Sequence, residues 1–293
     1  MSILLGVIRE KLNTLTGTPI EAWSSQRLFH GRGRCYPEYE QVCVDLFAPI
    51  LLVTIFKPLN ESFEADLLND LKLAAQEYSL VAVQLQRRYL AGSPSTTLVG
   101  QLPDSLFAQR QGLRFNINLA SRQNVGFFLD IEQGRQWLAQ RVNGKNVLNL
   151  FSYTCAFSVV AQAAGAAQVV NVDMSKSALT QGRNNHRLNT QATNNIKFLS
   201  ENILKSWSRV CRPGPYDIAI IDRAPDDVII AAGLGQQADL GAMVRVPVIW
   251  ELEALDQPLH RQRRRQVEHQ DIVFGDRAVM DRRAILDRNG FLA

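Results

Sequence analysis

The sequence Asn-Val-Leu-Asn-Leu-Phe-Ser-Tyr-Thr-Cys-Ala-Phe-Ser-Val-Val, residues 146–160, decides the fold of this chain. Its first five residues, Asn146–Leu150, form a short apolar run that is typical of a buried parallel strand. Residues Phe151–Thr154 form a small polar turn, and Ala156–Ala164 are apolar almost throughout. A strand, a tight turn and a helix in this order predict an α/β domain whose helix packs on a parallel sheet.

A second strand is predicted over Gln168–Val172, and it places Asp173 at the carboxyl end of the sheet. An acid at that position accepts hydrogen bonds from ribose hydroxyls, which indicates a cofactor that contains adenosine. A cofactor with a pyrophosphate, such as NAD, normally requires the spacing Gly-x-Gly-x-x-Gly, whereas Asn149–Cys155 contains no glycine. S-adenosylmethionine carries no phosphate, so a polar turn can bind it. We therefore favour S-adenosylmethionine over NAD.

The composition is typical of a globular protein with room for one large domain or two ordinary ones. The chain has 293 residues, of which 46% are hydrophobic and 20% charged. The net charge of +4 favours an anionic partner only weakly. No apolar run is long enough for a membrane helix and no leader pattern is present, so we expect a cytoplasmic protein. The four cysteines lack zinc spacing, which predicts reduced thiols and no metal site.

Five motifs, in this order and spacing, resemble the bacterial large-subunit ribosomal RNA methyltransferases. These are class I S-adenosylmethionine enzymes that include cytosine-C5 and guanine-N7 methyltransferases. The resemblance covers about residues 111–222, and it implies a Rossmann-like catalytic domain over 111–293, a methyl donor, and RNA as the partner. The motifs are Gly112-Leu-Arg-Phe-Asn-Ile-Asn118, Gly126-Phe-Phe-Leu-Asp130, Val147-Leu-Asn-Leu-Phe-Ser-Tyr-Thr154, Asn171-Val-Asp-Met-Ser175 and Asn184-Asn-His-Arg-Leu-Asn189.

The resemblance implies further cofactor neighbours. The turn that ends at Asp130 lies beside the cofactor in the family, and Asp130 could at the same time cap a helix predicted over Glu132–Val142. A third strand, Lys197–Ser200, ends where class I methyltransferases contact the adenine. The candidate cofactor-binding residues are Phe128, Asp130, Asn149, Phe151, Ser152, Tyr153, Thr154, Asp173, Met174, Ser175, Glu201 and Asn202.

Two departures from the family concern activity. Family members usually have glycine where Cys155 stands. Asp222, which follows a fourth predicted strand over Tyr216–Ile221, matches the start of the family motif Asp-Pro-Pro-x-Phe and is the catalytic candidate. Here the chain continues Arg-Ala-Pro-Asp-Asp227, so the residues that shape the base pocket are missing. The resemblance ends at this point.

The remaining residues are arginine-rich, and only Asp227–Ala232 and Val244–Trp250 are plausible strands. One interpretation is a basic RNA-binding tail. The other, which we favour, is a tail that is translated out of frame or has otherwise diverged from about residue 223.

A smaller α+β module is predicted over residues 1–95. Its pattern predicts two strands within Val42–Phe56, a helix over Ser62–Tyr78 that Asn60 caps, and a strand over Leu80–Leu85. Ala91–Thr97, rich in Gly, Ser and Pro, is the linker candidate.

The segment Gln26–Pro37 interleaves arginines with aromatic residues, which suits contact with RNA or, alternatively, a solvated hairpin.

Three functions compete. The first is an RNA methyltransferase that acts on a base of large-subunit ribosomal RNA. The second is a non-catalytic descendant that binds the cofactor or RNA, and the third, a disfavoured one, is an NAD-linked oxidoreductase. Because no cysteine occupies a convincing base pocket, a nitrogen target is preferred over cytosine C5. The lost motif after Asp222 predicts a chain that binds S-adenosylmethionine better than it methylates RNA.

Overall fold

The computed structural model describes residues 2–120, 124–203, 205–222, 227–232 and 243–247, with side chains as far as Ile221. The chain divides into two compact units, Met1–Asp130 and Ile131–Ala293. Within the described ranges, no helix combines the length and the apolar character that crossing a bilayer requires.

The N-terminal unit is built on a mixed sheet of five strands, in the order β1-β2-β3-β4-β5. β3 and β4 pair parallel, and the other neighbours pair antiparallel. A separate antiparallel hairpin consists of β6 and β7. The elements are α1 (Ile3–Asn13), β1 (Gln26–His30), β2 (Val42–Phe47), β3 (Ile50–Ile55), α2 (Glu61–Glu77), β4 (Ala82–Arg87), β5 (Ser95–Gly100), β6 (Leu106–Arg110) and β7 (Leu113–Ile117).

Side-chain caps begin both helices of this unit. The Oγ of Ser2 accepts a hydrogen bond from the backbone N–H of Leu5 at 3.1 Å, which starts α1. The Oδ1 of Asn60 accepts from the N–H of Ser62 at 3.0 Å, which confirms the predicted cap of α2. One apolar stripe of each helix then packs in the same core as the inward residues of β1 to β4.

The linker prediction for Ala91–Thr97 is wrong at its end, because Ser95–Thr97 belong to β5. That strand pairs antiparallel with β4, and the hydroxyl of Thr97 donates to Oε1 of Gln84 at 2.8 Å. Two threonines followed by Leu98 and Val99 favour a strand, so the turn is limited to the Gly and Ser residues before them.

The C-terminal unit is a Rossmann-like α/β domain. Its sheet has six strands in the order β10-β9-β8-β11-β12-β13. The first four are parallel, and β12 and β13 extend the sheet antiparallel. The elements are α3 (Glu132–Ala139), β8 (Asn146–Leu150), α4 (Ala156–Ala163), β9 (Gln168–Asp173), α5 (Lys176–Leu188), β10 (Ile196–Ser200), α6 (Trp207–Cys211), β11 (Ile218–Asp222), β12 (Asp227–Ala232) and β13 (Met243–Pro247).

Alternate residues of the parallel strands are buried on opposite faces of this sheet. Val147 and Val169 share one core with α3 and α4, whereas Leu148 and Val170 share another with Val210 of α6. Burial on both faces explains why these strands are continuous apolar runs in the sequence. The predicted limits of β8 are confirmed at both ends.

The strands predicted beyond Asp222 are confirmed in part. β12 has the predicted limits, and β13 covers the first half of the predicted strand Val244–Trp250. The four residues that replace the family motif, 223–226, and the arginine-rich segment 248–293 lie outside the described residues. The two interpretations of the tail therefore stay predictions.

Candidate cofactor site

The carboxyl ends of β8, β9 and β10 meet at one edge of the C-terminal sheet. Leu150 pairs with Val172, and Ser200 pairs with Asp173, so the residues after these strands are neighbours. Two of them are apolar and exposed: Phe151 at 37% and Met174 at 70%. Exposed apolar side chains beside a carboxylate, at the edge where α/β sheets bind their ligands, indicate a ligand site.

The turn after β8 has an unusual backbone. Phe151, Tyr153 and Cys155 have φ angles of 54°, 44° and 61°, the left-handed region that favours glycine. Each such residue costs on the order of 1–2 kcal/mol, so surrounding contacts must hold the turn. The N–H of Ser152 donates to the carbonyl of Val172 at 3.0 Å, and the N–H of Cys155 donates to the carbonyl of Ser152 at 2.7 Å.

Alternate residues of this turn face opposite ways. Ser152 and Thr154 are buried, Tyr153 is half-buried, and Phe151 is exposed. The four residues predicted to bind the cofactor therefore divide into two that anchor the turn and two that remain accessible.

Asp173 is oriented by two backbone groups. Its Oδ2 accepts from the N–H of Tyr153, and its Oδ1 accepts from the N–H of Ser175, each at 2.8 Å. A carboxylate has about four acceptor positions, so each oxygen can accept another hydrogen bond. Ser175 also caps α5, as predicted, because its Oγ accepts from the N–H of Ala178 at 3.2 Å.

Glu201 and Asn202 lie at the same edge, after β10. The N–H of Glu201 donates to the carbonyl of Asp173 at 3.2 Å. The Glu201 carboxylate, however, is engaged within the chain: it pairs with Arg209 and accepts from the hydroxyl of Ser206 at 2.8 Å. The hydrogen bond from Arg209, and then that from Ser206, holds the pKa of Glu201 below its ordinary value. An adenine contact by this carboxylate competes with Arg209.

Asn149 is buried just before the turn. Its Nδ2 donates to Oδ1 of Asn171 at 2.9 Å, whereas its own Oδ1 has no hydrogen-bond partner among the described residues. A buried acceptor without a partner costs about 1–3 kcal/mol, which a ligand donor would relieve.

Phe128 and Asp130 belong to the N-terminal unit. Phe128 is exposed, whereas its neighbour Phe127 is buried and stacks on Phe115 at 4.6 Å. The Oδ1 of Asp130 is buried without a hydrogen-bond partner in the described part of the chain. The capping role considered for Asp130 is wrong, because Ile131 occupies the cap position of α3 and no side chain caps that helix. Asp130 lies one residue too early.

Asp222, the catalytic candidate, is the last residue of β11. Because β11 pairs parallel with β8, with Ile221 opposite Leu150, Asp222 follows at the edge where Phe151 lies. Its side chain is outside the described residues.

Cys155, which stands where the family has glycine, has a glycine-like backbone and a buried side chain. Its φ of 61° is the conformation that glycine adopts readily, and its buried side chain contacts Gly182 of α5. Burial raises the pKa of the thiol to about 12, so Cys155 is a packed, protonated thiol.

We expect Gly182→Ala to lower the free energy of unfolding by about 1–3 kcal/mol, because of overpacking. A Cβ at residue 182 would lie 2.4 Å from Sγ of Cys155. Urea unfolding measures the change, and Cys155→Gly in the same chain should restore most of the loss. The control is Gly6→Ala in α1, where a Cβ meets nothing within 4 Å. A Gly182→Ala protein as stable as the wild type would contradict the contact.

Sequence reasoning missed a polar cluster beneath the turn, made of Asn171, Ser158, Asn185 and His186, all fully buried. The available signal was the interruption of apolar segments: Asn171 stands in the β9 run, opposite Asn149 in the β8 run. A buried amide or hydroxyl requires a hydrogen-bond partner, so matched interruptions indicate contact.

A family model of S-adenosylmethionine-dependent methyltransferases matches residues 26–233. The match is wider than the resemblance seen in the sequence. It includes most of the N-terminal unit and continues beyond Asp222 through β12.

Two curated relatives are ribosomal RNA large subunit methyltransferases I. That of Photobacterium profundum is 35% identical over 41% of this chain and 30% of its own length. That of an Enterobacter species is 28% identical over 68% of this chain and 50% of its own length. The chain thus spans half or less of the length of these relatives.

Solved structures agree with the fold. A protein of Streptococcus mutans assigned as an S-adenosylmethionine-dependent methyltransferase is 25% identical, with a TM-score of 0.63 over 75% of this chain and 56% of that one. A protein assigned as a methyltransferase, in complex with SAH, is 24% identical, with a TM-score of 0.64 over 76% of this chain and 57% of that one. With a family match over most of its length and a ligand edge built at the ends of parallel strands, this chain belongs to the S-adenosylmethionine-dependent methyltransferases.

Proposed function

We propose that this protein transfers a methyl group from S-adenosylmethionine to a base of large-subunit ribosomal RNA, with the cytoplasm as its place of action. The assignment of the cofactor rests on one observation: two backbone N–H groups orient the Asp173 carboxylate beside a turn without glycine. The RNA half rests on the names of the relatives and is the part to be tested.

The residues present fit S-adenosylmethionine. Asp173 keeps acceptor positions for two ribose hydroxyls, Phe151 and Met174 offer apolar surface to an adenine, and Asn149 offers an unpaired acceptor. When bound, the cofactor supplies an electrophilic methyl group on its sulfonium. Phe128, Asp130, Glu201 and Asn202, together with the turn residues and Ser175, stay candidate contacts.

The chain's own contribution is positioning. Transfer of a methyl group to a ring nitrogen is a direct displacement, so the protein must hold the acceptor base near the methyl carbon and exclude water. Asp222, at the same edge of the sheet on β11, is our candidate for the acceptor side. Neither buried cysteine is placed for attack on cytosine C6: Cys155 is a protonated, packed thiol, and Cys43 belongs to the N-terminal core.

The family match favours a methyltransferase over a non-catalytic descendant, because it continues through residue 233.

The turn argues against NAD, since Phe151, Tyr153 and Cys155 occupy its left-handed positions where a pyrophosphate site places glycines. Calorimetry tests the cofactor: we expect S-adenosylmethionine and S-adenosylhomocysteine to bind and NAD to show no heat. Binding of NAD alone would contradict the proposal.

The N-terminal unit supports an RNA partner through fewer residues than the sequence indicated. In the segment Gln26–Pro37, Arg27 pairs with Asp45 at 2.8 Å, His30 is buried, and Tyr36 stacks on the buried Phe29 at 4.5 Å. These side chains serve the core of the unit and are not available for base stacking.

In that segment Arg32 is exposed, and it shares the ring of Phe56 with the half-buried Arg88, which follows β4. The guanidinium of Arg32 lies 4.4 Å from the centre of the Phe56 ring, and that of Arg88 lies 5.8 Å from the same ring. Burial, and then the charge of Arg32, lowers the pKa of Arg88. Arg32 makes no ion pair with the described residues. A phosphate bound beside these two guanidiniums would offset their mutual repulsion.

We expect Arg32→Ala to weaken RNA binding at low salt and to reduce the salt slope of log K by about 0.7, as one lost phosphate contact with a single strand does. The matched control is Arg9→Ala, since Arg9 is a partly exposed arginine of the same unit whose charge is paired with Glu77. Filter binding at several salt concentrations gives both slopes. Equal effects of the two substitutions would show that the surface around Phe56 does not bind RNA.

A further inference from the structure

A chain of buried hydrogen bonds runs beneath the turn. The Nδ2 of Asn149 donates to Oδ1 of Asn171, and the Nδ2 of Asn171 donates to Oγ of Ser158, both at 2.9 Å. The Oγ of Ser158 lies 3.0 Å from Nε2 of His186. These four side chains are at most 1% exposed. The chain connects β8, β9, α4 and α5 on one face of the sheet.

Gln191, next to His186, determines the donor and the acceptor in every hydrogen bond of this series. The Nε2 of Gln191 donates to the carbonyl of Val159 at 2.9 Å, so its Oε1 is the acceptor that faces Nδ1 of His186 at 2.6 Å. His186 therefore carries its proton on Nδ1, and its Nε2 accepts from the hydroxyl of Ser158. Burial lowers the pKa of His186 to about 4, which keeps the ring neutral near pH 7.

The direction of these hydrogen bonds determines which side-chain atom of Asn149 is left without a partner. Because the Ser158 hydroxyl donates to His186, its oxygen must accept from Asn171, whose Oδ1 in turn must accept from Asn149. One N–H of the Asn149 Nδ2 is thereby used, and Oδ1 of Asn149 is left as the unpaired buried acceptor. The reverse polarity would leave a donor there.

The same helix also holds the strained turn. The Nδ2 of Asn185 donates to the carbonyl of Thr154 at 3.0 Å, and Gly182, one turn earlier in α5, contacts Cys155. Left-handed residues persist only where neighbours over-determine them. The motif Asn184–Asn189 does not lie at the ligand edge, but its residues Asn185 and His186 support the turn and Asn149 from beneath.

We propose that Ser158 and His186 are positioning residues that fix Asn149 as a hydrogen-bond acceptor, so that the site selects a ligand group that donates. This inference rests on the proposed cofactor site. It explains why polar residues interrupt β8, β9 and α4 at positions that otherwise favour apolar side chains.

The experiment compares Ser158→Ala with Tyr216→Phe. Tyr216 donates a buried hydrogen bond to the carbonyl of Val210 at 2.6 Å in the core on the other face of the sheet, so its loss is a matched control. We expect Ser158→Ala to weaken the Kd for S-adenosylhomocysteine about 5- to 20-fold, and Tyr216→Phe less than about 2-fold, at similar losses in the urea midpoint. Equal weakening by both, or none by Ser158→Ala, overturns the inference.

Two further measurements keep the test decisive. If Ser158→Ala does not fold, Gln191→Ala at a half-buried position replaces it, and we expect that variant to weaken binding about 3-fold. Nitrogen NMR of the His186 ring should show the Nδ1–H tautomer, whereas an Nε2–H tautomer overturns the polarity. A wild-type protein that binds no S-adenosylhomocysteine overturns the proposed function. A wild type that binds, beside a Ser158→Ala variant with unchanged affinity, overturns this inference alone.

Discussion

Replacing Asp173 with alanine is expected to weaken S-adenosylmethionine binding by about 1.5–3 kcal/mol, roughly 10- to 150-fold in Kd. The substitution removes a charged acceptor for the ribose hydroxyls. It also frees the N–H groups of Tyr153 and Ser175, which the carboxylate holds at 2.8 Å. Calorimetry measures the affinity directly.

The matched control is Asp217→Ala. Oδ2 of Asp217 accepts from the N–H of Asn146 at 2.8 Å, so this carboxylate also orients backbone, but at the amino end of β8. We expect Asp217→Ala to lower stability and to leave cofactor affinity unchanged. Asp173→Asn, which keeps one acceptor oxygen, should fall between the wild type and Asp173→Ala. An Asp173→Ala protein with wild-type affinity would remove the basis for the site.

Lowering the pH from 7 to 4 is expected to cost the C-terminal unit about 3 kcal/mol through His186 alone. Its pKa is 6.5 when unfolded and about 4 when folded, and each pKa unit is worth about 1.4 kcal/mol. Between these values the unfolded state binds more protons than the folded state. The stabilisation is therefore complete above about pH 6.5 and is lost as the pH falls to about 4.

Urea unfolding of the wild type and of His186→Gln at several pH values isolates this contribution. The variant should be less stable at pH 7 and should depend less on pH between 4 and 6.5. His30, whose pKa burial lowers to about 3, is present in both proteins and cancels in the comparison. Parallel pH profiles would contradict a neutral, buried His186.

The sequence predicts the local elements of the C-terminal unit well, because their signals are local. The apolar run of β8 and the Ser175 cap of α5 each depend on residues within one turn or strand. The possible capping role of Asp130 fails by one position, because the backbone alone decides that Ile131 precedes the first turn of α3.

Contacts between distant segments could not be predicted in the same way. The arginines and aromatic residues of Gln26–Pro37 favour RNA contact or a solvated hairpin, but they do not say that Asp45 on the next strand neutralises Arg27. Ser158 and His186 are 28 positions apart, and each has an ordinary interpretation alone. Only the packing of α4 against α5 brings them together.

The most direct test of the account is methyl transfer itself. The full chain is incubated with S-adenosylmethionine labelled in its methyl group and with large-subunit ribosomal RNA that lacks modifications. The account predicts label in the RNA at a ring nitrogen, at a slow rate because the motif after Asp222 is lost. The label should be lost in Asp173→Ala but not in Asp217→Ala. Tight cofactor binding with no label in the RNA would contradict it and would identify the chain as a descendant that has kept the cofactor site without the reaction.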